Sequence, residues 1–156
     1  MLNDYFAKQN KVAKFYFIVD RLDLLEQAVH AQQCIVHVDD ALRRREFEVL
    51  QGGGMASRTR AMLKVEDGCT NFCTYCIIPY ARGPVRSEPK ITAVEQTRAL
   101  REAGYREIVI TGIEISSWGK DLKTGESLID LMEAVCAAAG EMRVRLGSLE
   151  PRTITE

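Results

Sequence analysis

Short apolar runs alternate with amphipathic stretches along the chain. Residues 12–19 (VAKFYFIV) read as a strand, Arg21 to Gln32 as a helix with Leu24, Leu25, Ala28 and Val29 on one side, and Cys34 to Val38 as another strand. The polar segment ALRRREFEVL follows and runs into Gly52, Gly53 and Gly54. Consecutive glycines are too flexible to extend a helix or strand, so a domain boundary is expected there, dividing residues 1–50 from residues 51–156. A phosphate-cradling loop would need a following G-K-[S/T], and none is present.

Beyond the glycines the pattern becomes regular. Ala61 to Glu66 predicts a strand, and Thr92-Ala-Val-Glu95 has the form of a capping box opening a helix that Gly104 closes. Residues 107–112 (EIVITG) predict an apolar strand. Ser127-Leu-Ile-Asp130 starts a second helix with Leu128, Leu131, Met132, Val135 and Ala139 inward and Gly140 at its end, and MRVRLGSL gives a third strand. The order β-α-β-α-β implies an α/β fold with parallel strands and right-handed crossovers. Sheets of this kind carry their chemistry at the carboxyl ends of the strands. Cys69, the run Thr111-Gly112-Ile113-Glu114 and the run Ser148-Leu149-Glu150 all fall at such ends.

Composition changes this picture only locally. The 156 residues are 46% hydrophobic and 28% charged, which fits a globular protein and excludes a disordered one. A net charge of -1 gives no global basic field. Between Arg58 and Arg106, however, nine Lys/Arg stand against five Asp/Glu, a basic surrounding that would suit an anionic polymer or simply solvate ordinary helices. The opening MLNDYFAKQN has neither the basic region nor the apolar core of a signal peptide, and no apolar run approaches membrane-spanning length. A cytoplasmic location is expected. In that reducing compartment five cysteines point to metal binding or catalysis rather than to disulfides.

Three of those cysteines, Cys69, Cys73 and Cys76, stand at the spacing C-x3-C-x2-C directly after an apolar run and a glycine. Thiolates are the soft ligands that hold iron-sulfur clusters, which normally use four of them; three leave one iron open for a substrate or cofactor. The same spacing would also fit one face of a buried helix, against which Gly68, Asn71 and Pro79 speak as loop formers. Cys34 and His37 form C-x2-H, which with Cys73 and Cys76 can be drawn as a structural zinc site, although this strands Cys69. Cys136, beside Val135, reads as packing on an apolar helix face.

The stretch from Arg60 to Ser87, RAMLKVEDGCTNFCTYCIIPYARGPVRS, resembles the radical S-adenosylmethionine (SAM) methylthiotransferases, most closely the branch that modifies threonylcarbamoyladenosine in tRNA. The resemblance is specific from about Arg58 to Pro151. It implies a partial (β/α) barrel of the radical SAM type with about three strands present, and residues 1–50 as a remnant of an N-terminal methylthiotransferase domain. It also implies a 4Fe-4S cluster on Cys69, Cys73 and Cys76, with SAM bound at the open iron. Reductive cleavage of SAM then yields a deoxyadenosyl radical, and a second cluster delivers the sulfur of the methylthio group. Tyr75, an aromatic that would otherwise be core, is expected near the cofactor adenine. Gly112 would let the cofactor approach the backbone, Glu114 would accept from its amino group, and Ser148 and Glu150 are further contacts. Arg82 and Arg86, flanking Gly83-Pro84, suit phosphate or nucleic-acid contact, whereas Arg43, Arg44 and Arg45 read as a solvated helix face.

Several positions depart from the family pattern. Glu114 and Trp118 stand where histidine and tyrosine are usual, Gly147 replaces a serine, and Glu88 replaces an arginine. The family also carries three further cysteines before the core, about six βα units and a C-terminal RNA-binding domain, against one cysteine before Ala61 and three strands here, so the chain reads as a fragment of a longer enzyme, with tRNA and an electron donor as the implied partners and no membrane. A ribosomal-protein methylthiotransferase and a non-catalytic zinc or iron-sulfur module are the competing readings.

Overall fold

A computed structural model of the chain describes residues 40–53 and 59–150. The strands and helix expected between residues 12 and 38, with Cys34, His30 and His37, lie outside the described residues.

Three strands, β1 (Arg60–Lys64), β4 (Glu107–Thr111) and β5 (Arg143–Leu146), form a parallel sheet in the order β1-β4-β5. Between β1 and β4 lie a short antiparallel pair, β2 (Glu66–Asp67) with β3 (Arg86–Ser87), and the helices α1 (Ile78–Arg82) and α2 (Lys90–Glu102). Helix α3 (Leu128–Ala139) connects β4 to β5. This is the β-α-β-α-β alternation that the periodicity predicts, and among the described residues the sheet does not close into a barrel.

Alternation along the strands decides what packs where. Ala61 and Leu63 of β1 and Ile108 and Ile110 of β4 are buried in one core with Ala93 and Leu100 of α2 and Leu131, Val135 and Ala139 of α3. The predicted inward face of α3 is thus observed, with Leu128 and Met132 packed at its margin. Met62, pointing the other way, is 56% exposed, so the opposite face of the sheet is open at β1. Near the amino ends, Glu107 is paired with Arg60 at 2.7 Å, Arg145 at 3.4 Å and Arg143 at 3.7 Å, a charge ladder across all three strands.

Helix boundaries follow local chemistry. Ser127 and Asp130 form the expected capping box, with the Ser127 N–H donating to the Asp130 carboxylate at 2.7 Å, and Gly140 follows at φ 60°. Helix α2 corrects the sequence reading: it begins at Lys90, not at Thr92. The Pro89 carbonyl accepts the first helical hydrogen bond from Ala93, so Thr92 already sits in the first turn and caps nothing. Proline lacks the N–H that an interior position needs and is therefore well suited to a helix start. At the far end Gly104, at φ 87°, closes the helix as expected.

The glycine segment is docked rather than free. The Gly52 N–H donates to Gln96 Oε1, and Gly53 pairs antiparallel with Met62. Of the preceding arginine run only Ala41–Arg43 is helical, as a single 3-10 turn capped by Asp40, and Arg45 donates to the Leu42 and Arg44 carbonyls. No helix of the described residues is long and apolar enough to cross a membrane.

Candidate functional site

Because the sheet is parallel, the segments following β1, β4 and β5 leave from the same edge. The first carries Cys69, Cys73 and Cys76, the second Gly112 and Glu114, and the third Ser148 and Glu150.

The cysteine segment is an excursion between β2 and β3, whose pairing of Asp67 with Arg86 closes its base. Two glycines make that closure possible. Gly68 adopts φ 88°, and a Cβ there would lie 2.1 Å from the Pro84 carbonyl oxygen; at Gly83, φ 83°, it would lie 1.9 Å from that of Ala41. Such approaches exclude every side chain. The Cys69 N–H then donates to the Gly83 carbonyl at 3.0 Å. Phe72 sits in the left-handed region at φ 46°, Cys76 donates to the Cys73 carbonyl at 2.9 Å, and the Phe72 and Tyr80 rings meet edge to face at 5.6 Å. A non-glycine residue held at positive φ stores strain, which concentrates at ligand sites.

All three thiols are free and at least partly accessible. The alternative of one face of a buried helix is therefore not what the segment forms. Among the described residues no three His, Cys, Asp or Glu side chains converge tightly enough to hold a single ion. A tetrahedral zinc site needs such convergence, whereas an iron-sulfur cube takes each thiolate on a different corner and tolerates their spread around one loop. Burial pushes the Cys69 thiol up, the charges of Glu114, Glu66 and Cys73 add to this, and the Asn71 N–H, 3.5 Å from Sγ, opposes it. The donor set and its accessibility thus fit a cluster.

The base of the excursion is locked by charge. Asp67 Oδ2 lies 2.9 Å from Lys64 Nζ, 3.3 Å from Arg86 and 3.5 Å from Arg82, while its Oδ1 accepts the Gly68 N–H at 2.9 Å. Arg86 is 1% exposed and also donates to the Arg82 and Pro84 carbonyls, at 2.8 and 3.0 Å. Its guanidinium is thereby committed to bracing the loop and faces no polyanion at the surface. Arg82 remains partly exposed.

The second segment is tied to the first. Glu66 Oε2 accepts the N–H groups of Ile113 and Glu114, both at 2.8 Å. A Cβ on Gly112 would lie 2.6 Å from that oxygen, so the group approaching the Gly112 backbone is the Glu66 carboxyl, where the sequence suggested a ligand. Ser87 binds the Asp121 carboxylate through its N–H at 2.9 Å and its hydroxyl at 2.6 Å, and Trp118 Nε1 donates to the Glu88 carbonyl at 3.0 Å. Glu114 caps the 3-10 turn Ile115–Ser117 by accepting from the Ser116 N–H and the Ser117 hydroxyl. The third segment joins through the Glu150 N–H, which donates to Ser116 Oγ at 3.3 Å, and Ser148 is exposed at φ 54°.

Tyr75, between Cys73 and Cys76, is 91% exposed, so it is not a core aromatic. Cys136 corrects the sequence reading in the other direction. It is exposed, because it lies about 100° around the helix from the buried Val135. Sequence reasoning missed Glu66, Asp67 and Glu88, all buried. The available signal was a pair of acids completing an apolar strand immediately before Gly68.

The family model of the radical SAM superfamily matches residues 63–153, more than half of the chain. Among curated proteins, the chain is 38% identical over 135 residues to the threonylcarbamoyladenosine tRNA methylthiotransferase of Bacillus subtilis, covering 86% of this chain and 30% of that protein. The same-named protein of Thermotoga maritima is 42% identical over 105 residues, covering 67% of this chain and 24% of its own length. The tRNA-2-methylthio-N(6)-dimethylallyladenosine synthase of Clostridium tetani is 35% identical over 136 residues, covering 86% and 29%. The chain thus spans less than a third of the length of these relatives. From the family match over the cysteine loop and the parallel sheet that carries it, the chain belongs to the radical SAM superfamily.

Proposed function

We propose that the chain is the cluster- and SAM-binding part of a cytoplasmic tRNA methylthiotransferase, with Cys69, Cys73 and Cys76 as ligands of one 4Fe-4S cluster. The observation that carries this is the accessible cysteine loop at the carboxyl edge of a parallel sheet, with Glu66 at its base bonded to the second edge segment and that segment bonded to the third. Cys69, Cys73 and Cys76 would hold the cluster, which when bound would supply the electron for SAM cleavage and a place for SAM to bind.

The protein's own residues bind and orient. Tyr75 offers an exposed ring on which an adenine can stack. Glu114 keeps lone pairs for an ammonium group beyond its two capping bonds. Ser148 and Glu150 present polar groups from the third strand end, and Gly112 keeps the turn close to the strand. For tRNA, Arg82 and the locally basic surroundings supply phosphate attraction. An external electron donor would be needed to reduce such a cluster.

The test is anaerobic reconstitution followed by electron paramagnetic resonance of the reduced protein with and without saturating SAM. A spectrum that SAM perturbs is expected. A spectrum identical in both conditions would count against an open iron that binds SAM, and a colourless protein holding only zinc would favour the structural-module reading.

A further inference from the structure

Glu66 is fully buried, three residues before Cys69, and the roles assigned above do not use it. One of its carboxyl oxygens takes two N–H groups of the next strand's turn, and the chain keeps a glycine at position 112 where any side chain would strike it. The other oxygen, Oε1, is buried without a hydrogen-bond partner. Asp67 and Glu114 face the same carboxyl with like charge, and burial pushes it up to about 7. Both N–H groups of the turn thus depend on one oxygen of one side chain.

Resting on the reading under Proposed function, we propose that Glu66 is a positioning residue: its single side chain fixes the turn 112–114, which would hold the amino-acid end of SAM, against the loop that would hold the cluster. The two ends of one ligand would then meet protein groups whose separation is set by one carboxyl rather than by two independent loops. Reactivity depends steeply on such positioning.

Glu66→Ala, Glu66→Asp and Glu66→Gln separate the possibilities. Aspartate keeps the carboxyl but is one methylene shorter and withdraws its oxygens from Ile113 and Glu114. Glutamine keeps an acceptor at full length. Amide hydrogen exchange at Ile113 and Glu114 in the cluster-free chain is expected to accelerate at least about tenfold in Glu66→Ala and Glu66→Asp and to stay near wild type in Glu66→Gln. In the reconstituted protein, iron per chain is expected to stay at the wild-type value in all three. SAM affinity should fall about tenfold or more in the alanine and aspartate variants and recover in the glutamine variant.

Unchanged exchange and affinity in Glu66→Asp would overturn the proposal, as would a glutamine variant as impaired as alanine, or loss of iron in step with loss of affinity. Should alanine prevent folding, the aspartate and glutamine pair carries the comparison. If wild type itself binds no SAM, the functional reading fails, whereas the exchange data still decide whether Glu66 couples the two segments.

Discussion

Replacing Asp67 by alanine probes how the cysteine loop is closed. Its carboxylate is the buried counter-charge for the equally buried Arg86, and for Lys64 and Arg82 at the margin. Removing one partner of a buried pair leaves the other charged and desolvated, which costs about 3–5 kcal/mol. Arg86 retains its bonds to the Arg82 and Pro84 carbonyls, which places the expected loss near the low end, about 3 kcal/mol. A domain near 100 residues loses about 4–8 °C of Tm per kcal/mol, so the midpoint should drop by about 12 °C or more. Thermal melts followed by circular dichroism measure this directly, and urea titration gives the free-energy loss. Lys64→Met is the control, since that side chain is more exposed and should cost under about 1 kcal/mol. The double variant Asp67→Leu with Arg86→Met should lie closer to wild type than Asp67→Ala, because removing both charges removes the penalty. An Asp67→Ala protein within about 1 kcal/mol of wild type, or a double variant worse than either single, would refute the argument.

Three further expectations follow from burial and backbone geometry. Glu66 and Glu88 are fully buried carboxyls pushed up to about 7 from 4.5 by burial, so the fold favours their protonated forms; the stability this gives is complete below about pH 4.5 and lost as pH rises through about 7. Each is worth about 3 kcal/mol, so Glu88→Gln should flatten the fall in urea midpoint between about pH 5 and 8, and parallel profiles for variant and wild type would contradict this. Gly68→Ala and Gly83→Ala should each destabilise far more than Gly104→Ala, although all three share a positive φ, because only at Gly104 does the added Cβ meet open space; the Gly104 change should cost about 1–2 kcal/mol, and equal losses at all three in thermal melts would refute the close-approach argument. Cys136, exposed on α3, should react with a thiol reagent in the folded chain without a change in Tm, and protection of that thiol would restore the packing reading.

Where hydrophobic period and local capping decide an element, the sequence was informative. The runs at Ala61 to Glu66 and residues 107–112 gave β1 and β4, and Ser127, Asp130 and Gly140 bounded α3. The hairpin of β2 and β3 has two residues per strand, too short for any periodicity, and its partners are about twenty positions apart, so nothing local announced it. Arg86 read as a surface arginine because a buried one looks the same until Asp67 is placed beside it. Gly112 read as room for a ligand; the occupant is Glu66, from a different strand. The three cysteines were legible because their chemistry depends on type and spacing, which a sequence displays, whereas the hydrogen bonds that tie their loop to residues 113, 114 and 121 depend on tertiary proximity.

Iron per chain after anaerobic reconstitution, compared across Cys69→Ala, Cys73→Ala, Cys76→Ala and Cys136→Ala, tests the central claim most directly. Wild type and Cys136→Ala are expected to hold about four irons, with the brown absorbance of a cluster, and each of the other three to lose most of that iron. Iron retained at the wild-type level by all three loop variants would contradict the account.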